Sequence, residues 1–306
     1  MEHRHRNWKR LLKQHKQLLL PSACDALTAK LIQQADFPAY QIGGFALDGM
    51  RFGFPDMDVT RLGEKSAVVR DIVHASGLPV LVDCDDGYGD EKSVVHTVHT
   101  YDDLGVSAIF IEDQKSPKRC GHMSGKEVVE PRVMVNKLRA AQSARRSAEK
   151  LFILARTDAL AVNGLKDAMN RAEQYLKAGA DGIYIEGPEN IQQLRAIGKE
   201  FKGEPLAVTI LENGGKTPWV SPEEMYVMGF NMILYPTTLL FRQTRTLIRA
   251  LDDLKAGRPL PKQDAVTMME FEKIVDIAYW KAIEEKAMPM GERMLQAVNK
   301  LVKKIA

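Results

Sequence analysis

Eight short apolar segments recur along the first three quarters of the chain, and a helical pattern follows each of them. The segments are rich in Val, Ile and Leu and end at polar residues or glycine, which is typical of strands that are covered on both faces. Alternation of such strands with helices indicates parallel pairing, and eight repeats in about 250 residues predict a (β/α)8 barrel. The segments are 17–21, 39–44, 79–85, 108–113, 151–158, 182–186, 204–211 and 232–236.

The last quarter of the chain carries more helix than such a barrel needs. Helical patterns cover 238–256, 263–287 and 291–305, and only the first is required as the eighth barrel helix. We therefore predict a barrel with an N-terminal helix over residues 1–256 and a helical extension over 257–306. The extension carries more apolar surface than a solvated appendage exposes. This favours packing on another subunit, although helices that fold back on their own barrel would give the same pattern.

Composition and charge exclude several classes of protein. The 43 basic and 40 acidic residues leave a net charge of only +3, too even a balance for a protein that binds nucleic acid through its overall field. Three cysteines without a CxxC pair cannot form a disulfide framework, so we expect a cytoplasmic location. No apolar run is long enough to span a membrane. Residues 1–10 are basic, but the apolar stretch after them is interrupted by Lys13, Lys16, Pro21 and Asp25, unlike the core of a signal peptide. A small anionic substrate is compatible with this even charge balance, because its binding needs only a local cluster of cations.

Acidic residues end two neighbouring strands of the predicted barrel, at the edge where barrels of this type build their active sites. Asp83 and Asp85 close the third strand, where alternation predicts that both side chains point the same way, and Glu112 closes the fourth. Three converging carboxylates are costly to bury unless a cation offsets them. Hard oxygen ligands favour Mg2+, with Mn2+ as a substitute, over zinc. The alternative is a network in which Arg156 and nearby lysines neutralise the acids.

Arg156 closes the fifth strand, on the same side as Asp158. A guanidinium in an acidic barrel mouth is suited to hold a substrate carboxylate through two hydrogen bonds. An ion pair with Glu186 or Asp158 is the alternative, and the two interpretations are compatible.

The loop after the fourth strand contains Cys120 next to Lys118, Arg119 and His122. Two flanking cations and a histidine predict a lowered pKa for the Cys120 thiol, and the glycines of the loop predict that it can move. Such a thiol could donate or accept a proton near neutral pH. The alternative is a basic surface loop that happens to contain a cysteine.

The motifs of the barrel strands resemble those of the isocitrate lyase and phosphoenolpyruvate mutase superfamily, in order and in approximate spacing. The most similar branch contains 2-methylisocitrate lyase, 2,3-dimethylmalate lyase and carboxyphosphonoenolpyruvate mutase, and KRCGH after IED is the most specific signal. The matching motifs are Tyr40 with Gly43 and Gly44, FPD at 54–56, VDCDDGYGD at 82–90, IEDQ at 111–114, KRCGH at 118–122, ARTDA at 155–159, AGADGIYIEG at 178–187 and GGKTP at 214–218.

This resemblance implies a TIM barrel and a role for each motif. Asp83, Asp85 and Glu112 would bind Mg2+, directly or through water. Cys120 would be the catalytic acid/base on a mobile gating loop. The implied catalytic residues are Cys120, Tyr40, Lys118, Arg119 and His122, and the implied substrate-binding residues are Gly43, Gly44, Arg156, Glu186 and Thr209. The superfamily also implies a homotetramer, a dimer of dimers, with C-terminal helices exchanged between neighbouring subunits.

The implied reaction is carbon–carbon cleavage of a 2-hydroxy di- or tricarboxylate, of the 2-methylisocitrate or dimethylmalate type, to pyruvate or another 2-oxo acid plus a carboxylate. A carboxyphosphonoenolpyruvate-type phosphonomutase, an oxaloacetate hydrolase or decarboxylase, and a metabolite-binding barrel without catalysis are the alternatives. Ile42 stands where the lyases have Ser or Thr, and Thr209 stands where Asn is usual. Loss of these polar groups puts the substrate in question more than the reaction class, because polar sites discriminate strongly against mismatches.

Overall fold

The computed structural model of the protein describes residues 7–259 and 261–292. A parallel sheet of eight strands forms its centre, in the order β1-β8-β7-β6-β5-β4-β3-β2. All eight predicted strands are confirmed, and the fold is a (β/α)8 TIM barrel. The strands are β1 (Leu18–Pro21), β2 (Tyr40–Ile42), β3 (Val80–Asp83), β4 (Ala108–Glu112), β5 (Phe152–Thr157), β6 (Gly182–Ile185), β7 (Leu206–Thr209) and β8 (Met232–Tyr235).

The two ends of this sheet, β1 and β2, meet through Ser22 and Gln41. These residues form a parallel bridge, and the Ala23 N–H donates to the Gln41 carbonyl at 2.9 Å. The Gln41 side chain, which points into the barrel, donates to the Leu20 carbonyl at 3.1 Å. These bonds bring the last edge of the sheet together and fix the position of the glycines that follow β2.

Helices connect the strands and cover the outside of the barrel. Their ends follow signals in the sequence: the tenth begins with Pro222 after Ser221, which exchanges hydrogen bonds with Glu224, and it ends at Gly229, whose φ is +110°. The helices are α1 (Trp8–Gln14), α2 (Ala26–Gln34), α3 (Gly44–Leu47), α4 (Leu62–Ala75), α5 (Glu91–Asp103), α6 (Pro131–Ala144), α7 (Ala159–Asn163), α8 (Leu165–Lys177), α9 (Ile191–Glu200), α10 (Pro222–Met228), α11 (Thr238–Lys255), α12 (Met268–Ile274) and α13 (Ile277–Ala287), with a π-helix at Asp48–Phe52 and a 3-10 helix at Lys262–Asp264.

The strands separate two buried apolar layers. One layer fills the inside of the barrel and includes Leu81 and Phe110, together with Trp8 and Leu11 of α1. The other layer lies between the strands and the surrounding helices. Because successive side chains of a strand point to opposite faces, the strands contribute to both layers, except that the inward residue of β2 is the polar Gln41. The inward-facing residues are the ones that can reach the site.

The chain divides into two compact units, Met1–Ile248 and Arg249–Ala306. In the second unit the prediction of one helix over 263–287 is wrong. A helix begins at Met268, where Thr267 and Glu270 exchange hydrogen bonds. The helical conformation is interrupted at Asp276, which has a left-handed φ of +57°. Most of the predicted helix at 291–305 lies outside the described residues. Within residues 7–259 and 261–292, no helix combines the length and apolarity needed to cross a bilayer.

Close packing of α9 on α10 depends on Gly198. A Cβ atom at this position would lie 2.8 Å from the Met228 carbonyl carbon and still closer to its oxygen, and backbone atoms cannot move aside cheaply. We expect Gly198→Ala to lower the free energy of unfolding by about 2 kcal/mol or more, measured by urea denaturation. Gly63→Ala in α4 is the control, because no atom lies within 4 Å of its added Cβ. It should be neutral or stabilising by up to about 1 kcal/mol, and an equal loss in both variants would contradict this account.

Candidate active site

A small cavity of about 40 Å³ lies at the C-terminal ends of the strands. Many of the predicted site residues line it, at the edge where barrels of this type build their active sites. Its walls are Gln41, Gly43, Gly44, Phe45, Asp56, Asp83, Phe110, Cys120, Gly121, His122, Arg156, Tyr184, Glu186, Thr209, Leu211, Leu234 and Pro236.

Asp83 and Asp85 lie side by side next to Gly44. A Cβ atom on Gly44 would be 3.2 Å from Asp83 Oδ2 and 3.4 Å from Asp85 Oδ1. Asp85 follows the end of β3 and has a left-handed φ of +48°, and its N–H donates to Asp83 Oδ1 at 3.0 Å. A non-glycine residue in this conformation indicates strain that the surrounding contacts maintain. The two carboxylates therefore meet, as predicted, although Asp85 lies beyond the regular strand.

Two lysines hold the Asp85 carboxylate, one on each oxygen. Lys118 Nζ lies 2.6 Å from Asp85 Oδ1, and Lys65 Nζ lies 2.6 Å from Asp85 Oδ2. All three side chains are buried. Burial raises the pKa of Asp85, but the Lys118 and Lys65 ammonium groups outweigh it and hold the pKa below its usual range. Asp85 is therefore an anion.

Arg156 connects the remaining acids of the site. Its Nε lies 2.8 Å from Asp158 Oδ2, 3.1 Å from Glu112 Oε2 and 3.9 Å from Glu186 Oε2. Its guanidinium also lies 5.3 Å from the centre of the Tyr184 ring. The ion pair with Asp158 is thus present, while the wall of the cavity still includes Arg156.

Negative charge exceeds positive charge in this cluster. Burial, followed by the charge of Asp85, raises the pKa of Asp83 to about 6, and burial raises the pKa of Glu112 well above its ordinary value despite Arg156. Glu112 Oε1 is buried and has no hydrogen-bond partner among the described residues. Both observations indicate that the site accommodates further positive charge.

The residue types fit a hard divalent cation, because three carboxylates lie at adjacent strand ends and one buried oxygen is unpartnered. The side chains do not form a finished metal cluster. In the part of the chain that the structure describes, no three His, Cys, Asp or Glu side chains are placed to hold one ion. Lysines and Arg156 neutralise the acids instead, which is the alternative arrangement that the sequence left open.

The loop that carries Cys120 is closed over the cavity. Lys118 Nζ pairs with Asp56 as well as Asp85, and the Cys120 N–H donates to the Asp56 carbonyl at 3.0 Å. At the far side of the loop, buried Lys126 donates to Asp158 Oδ1 at 2.7 Å and to the Gly121 carbonyl. The loop is therefore held to the barrel by buried ion pairs at both of its ends.

Gly121 sits directly against the floor of the cavity. A Cβ atom there would lie 2.6 Å from Glu186 Cγ and would also collide with Arg156 Nη2. Next to it, His122 Nε2 lies 3.0 Å from Glu186 Oε1, and His122 Nδ1 accepts the Lys216 N–H at 3.1 Å. Only glycine at 121 lets the loop close this far.

The prediction of a lowered pKa for Cys120 is wrong. Burial, followed by the charge of Asp56, raises the pKa of its thiol to about 12. The flanking cations act elsewhere: Lys118 pairs with carboxylates, and the Arg119 side chain is exposed. Cys120 therefore carries its proton at neutral pH in the closed loop.

Tyr40 does not reach the cavity, because its side chain belongs to the outer apolar layer with Ile42 and Val82. Its neighbour Gln41 faces the inside, as alternation along β2 requires. The structure therefore does not bring Tyr40, which the resemblance implied as a catalytic residue, to the cavity. Arg119 is also not brought to the cavity, and its backbone exchanges hydrogen bonds with the Gln114 side chain at 2.8 and 3.0 Å.

The other predicted substrate-binding residues line the cavity but already have partners. The Gly43 N–H donates to Ser22 Oγ at 3.3 Å, and the Gly44 N–H donates to Asp83 Oδ2 at 3.0 Å. Thr209 Oγ1 shares a hydrogen bond with the Tyr184 hydroxyl. A substrate group that used these donors would replace a contact within the protein.

Lys65 and Lys126 are site residues that sequence reasoning missed. Lys65 occupies a position in the buried stripe of α4 that also contains Val69 and Ile72. A lysine at such a position is a detectable signal, because lysine is almost never fully buried unless it is paired. Lys126 follows KRCGH by four residues and could have been noticed in the same way as the other cations of the loop.

Comparison with known proteins adds independent findings. The family model described as phosphoenolpyruvate phosphomutase matches residues 8–255. The 2,3-dimethylmalate lyase of Eubacterium barkeri is 35% identical over 281 residues, which cover 90% of this chain and 95% of that protein. The 2-methylisocitrate lyase of Halalkalibacterium halodurans is 36% identical over 233 residues, 76% of each chain.

Among solved structures, an oxaloacetate acetylhydrolase in complex with the inhibitor 3,3-difluorooxalacetate superposes with a TM-score of 0.86. It is 28% identical, with 92% of this chain and 96% of that chain covered. A 2,3-dimethylmalate lyase structure gives a TM-score of 0.85 at 30% identity, with 92% and 94% covered.

Closure of the loop should control the reactivity of Cys120. With a pKa of about 12, about one thiol in ten thousand is ionised at pH 8, so alkylation by iodoacetamide should be slow and should accelerate as the pH rises toward 12. Gly121→Ala should prevent closure of the loop and return the pKa of the Cys120 thiol toward about 8.5. Alkylation at pH 8 should then be faster by about 100-fold or more. Peptide mass spectrometry would follow the site, with Ser124→Ala in the same loop as the control. Fast alkylation of the unaltered protein at pH 7 would contradict the prediction.

Proposed function

Because this chain belongs to the phosphoenolpyruvate phosphomutase family, we propose that it is a Mg2+-dependent carbon–carbon lyase. The relatives are lyases and mutases, and the chain is an enzyme of the isocitrate lyase and phosphoenolpyruvate mutase superfamily. Its substrate would be a 2-hydroxy di- or tricarboxylate, and its products a 2-oxo acid such as pyruvate and a second carboxylate. The observation that carries the proposal is the position of Cys120, which lines one small cavity together with Arg156, Asp83 and Glu186. Burial, which raises the pKa of the thiol, agrees with a role as proton donor.

Asp83, Asp85 and Glu112 would hold the Mg2+ ion, or Mn2+ in its place. When bound, such an ion supplies Lewis-acid polarisation to the carboxylate and hydroxyl oxygens of a 2-hydroxy acid. Asp85 is already ionised in this structure, and Glu112 offers a buried oxygen without a hydrogen-bond partner. These two features support the assignment of the ligands.

Arg156 would bind the substrate carboxylate and stabilise negative charge as it develops. It lies in the wall of the cavity, and its ion pairs with Asp158 and Glu112 fix the guanidinium in place. Preorganised cations in a closed site act without the reorganisation that water requires. Glu186 and His122, 3.0 Å apart, would form the adjoining wall and keep the guanidinium oriented.

Cys120 would supply the proton that ends the reaction. A carboxylate of the cavity wall, such as Glu186, would accept the hydroxyl proton. The carbinol carbon then becomes a ketone, the adjacent carbon–carbon bond breaks, and the electron pair stays on the departing carboxylate fragment. The thiol keeps its proton at neutral pH and can transfer it to that much more basic carbon. The closed loop would keep water away from the carbanion.

Part of the cavity wall is apolar, which supports a substrate with alkyl substituents. The apolar residues are Phe45, Phe110, Leu211, Leu234 and Pro236. A malate-type acid with methyl groups would place them there, which agrees with the similarity to 2,3-dimethylmalate lyase.

Oxaloacetate hydrolysis and phosphonate chemistry are second candidates, each supported by a relative. An oxaloacetate acetylhydrolase has a very similar structure. The carboxyvinyl-carboxyphosphonate phosphorylmutase of Arabidopsis thaliana is 35% identical over 283 residues. Acetate and oxalate released from oxaloacetate would identify the first activity, and phosphorus NMR of candidate phosphonates would identify the second.

A panel of substituted malates and isocitrates, supplied with Mg2+, tests the lyase proposal. We expect at least one substrate to release a 2-oxo acid, detected with a coupled dehydrogenase. Cys120→Ser should lower kcat by about 100-fold or more, because a general acid is lost, without changing the melting temperature. Ser124→Ala, an exposed residue of the same loop, should leave kcat unchanged. A folded, Mg2+-supplied protein that cleaves no member of the panel would refute the assignment.

The finer parts of the prediction concern assembly and location. We propose a homotetramer in which C-terminal helices are exchanged between subunits. Within residues 1–248, α2 and α11 border an apolar groove of about 790 Å³. In the second unit, α12 and α13 expose Met268, Met269 and Trp280. A second copy of the chain supplies apolar surface for both. The three cysteines are unpaired, which agrees with a cytoplasmic location.

Sedimentation equilibrium would test the assembly. We expect four times the chain mass of 34.3 kDa at micromolar concentration. Trp280→Glu should shift the distribution to smaller species, because it places a charge in the proposed interface. Trp219→Glu is a matched control, since Trp219 is 67% exposed and Trp280 is 61% exposed, and Trp219 lies outside the groove. A monomeric unaltered protein would contradict the proposal.

A further inference from the structure

Lys65 is a resident cation of the acid cluster that no sequence motif accounts for. It projects from the first turn of α4, a regular helix, and its side chain is only 2% exposed. Lys118, the other cation on Asp85, belongs to the loop that closes the cavity. Lys65 therefore stays beside Asp85 whether or not the loop is seated.

The Lys65 ammonium group lies between two buried carboxylates. Its Nζ is 2.6 Å from Asp85 Oδ2 and 3.5 Å from Asp48 Oδ2. Thr60 Oγ1 donates to the other Asp48 oxygen at 2.6 Å, which fixes that carboxylate in the π-helix after α3. Asp48 Oδ2 is buried and has no hydrogen-bond partner among the described residues. The ammonium group thus has a close acceptor in Asp85 and a second, more distant acceptor in Asp48.

We propose that Lys65 is a positioning residue that competes with the divalent cation for Asp85 and thereby sets the metal affinity of the site. This inference rests on the proposed function, in which Asp85 is a metal ligand. Lys118 lies on Asp85 Oδ1 and Lys65 on Asp85 Oδ2, so each oxygen already has one cation. A metal ion bound to Oδ2 would lie at contact distance from the Lys65 ammonium group, and the repulsion between the two requires Lys65 to withdraw. Asp48 receives the ammonium group when it does.

Asp48 makes the exchange possible, because a lysine left unpaired in this buried position would be costly. Removal of the ammonium group and removal of its second acceptor should therefore act in opposite directions. Without Lys65, Asp85 is free for the cation. Without the Asp48 charge, Lys65 is confined to Asp85 and resists displacement.

Mn2+ binding, measured by the EPR signal of the free ion, tests this inference without reference to turnover. We expect Lys65→Met to lower the Kd by about tenfold, and Asp48→Asn to raise it by about tenfold, since each change alters one unit charge next to the site. Lys137→Met is the matched control. Lys137 is also buried and lies 3.6 Å from a carboxylate, but that carboxylate is Asp86, which is not a proposed ligand. Its Kd should change less than about threefold.

Three results would overturn the inference, and they differ in what they say of the proposed function. Weaker or unchanged Mn2+ binding by folded Lys65→Met would refute the role of Lys65 while the metal site stands. A similar gain in Lys137→Met would show a general effect of charge instead of competition at Asp85. Absence of Mn2+ binding in both the unaltered protein and Lys65→Met would refute the metal site itself. If Lys65→Met does not fold, Asp48→Asn decides, and unchanged or tighter binding by it refutes the proposal.

Discussion

Excess negative charge, buried at the C-terminal rim of the barrel, is the constraint that organises the site. An uncompensated charge in such a place costs several kcal/mol, so each carboxylate needs a cation from another element. Lys65 comes from α4, Arg156 from β5, and Lys118 and Lys126 from the loop after β4. The ion pairs of Lys118 and Lys126 therefore both neutralise acids and hold the loop over the cavity. Closure of the loop brings these two positive charges to the acids.

Closure also determines the chemistry of Cys120. The sequence places two cations and a histidine beside the thiol, and from that neighbourhood alone an acidic thiol follows. The fold directs Lys118 to carboxylates, Arg119 to solvent and His122 to Glu186, which leaves the thiol buried near Asp56. Local charge in a sequence does not predict a pKa when those charges have partners elsewhere. The result is a thiol that keeps its proton at neutral pH, as its proposed role of proton donor requires.

The fold and the location of the site could be predicted because both follow from local patterns. Eight apolar segments define the strands, and barrels of this type build their active sites from residues at the C-terminal ends of the strands. Lys65 was missed because it lies on a helix, and the sequence does not reveal which face of that helix packs against the C-terminal ends of the strands. The break at Asp276 escaped for another reason: the apolar spacing continues across it, so only the backbone conformation marks the end of α12.

The direction of side chains along β2 changes the meaning of one departure from the superfamily pattern. Ile42 replaces a hydroxyl residue, which in the sequence counts as a loss from the substrate pocket. In the structure Ile42 pairs with Val82 and packs in the outer layer, so it does not alter the cavity wall. Thr209 does line the cavity, and its hydrogen bond reaches Tyr184, whose ring lies against Arg156. Of the two departures, only Thr209 therefore lies in the cavity wall, where its hydroxyl group can affect the fit of a substrate.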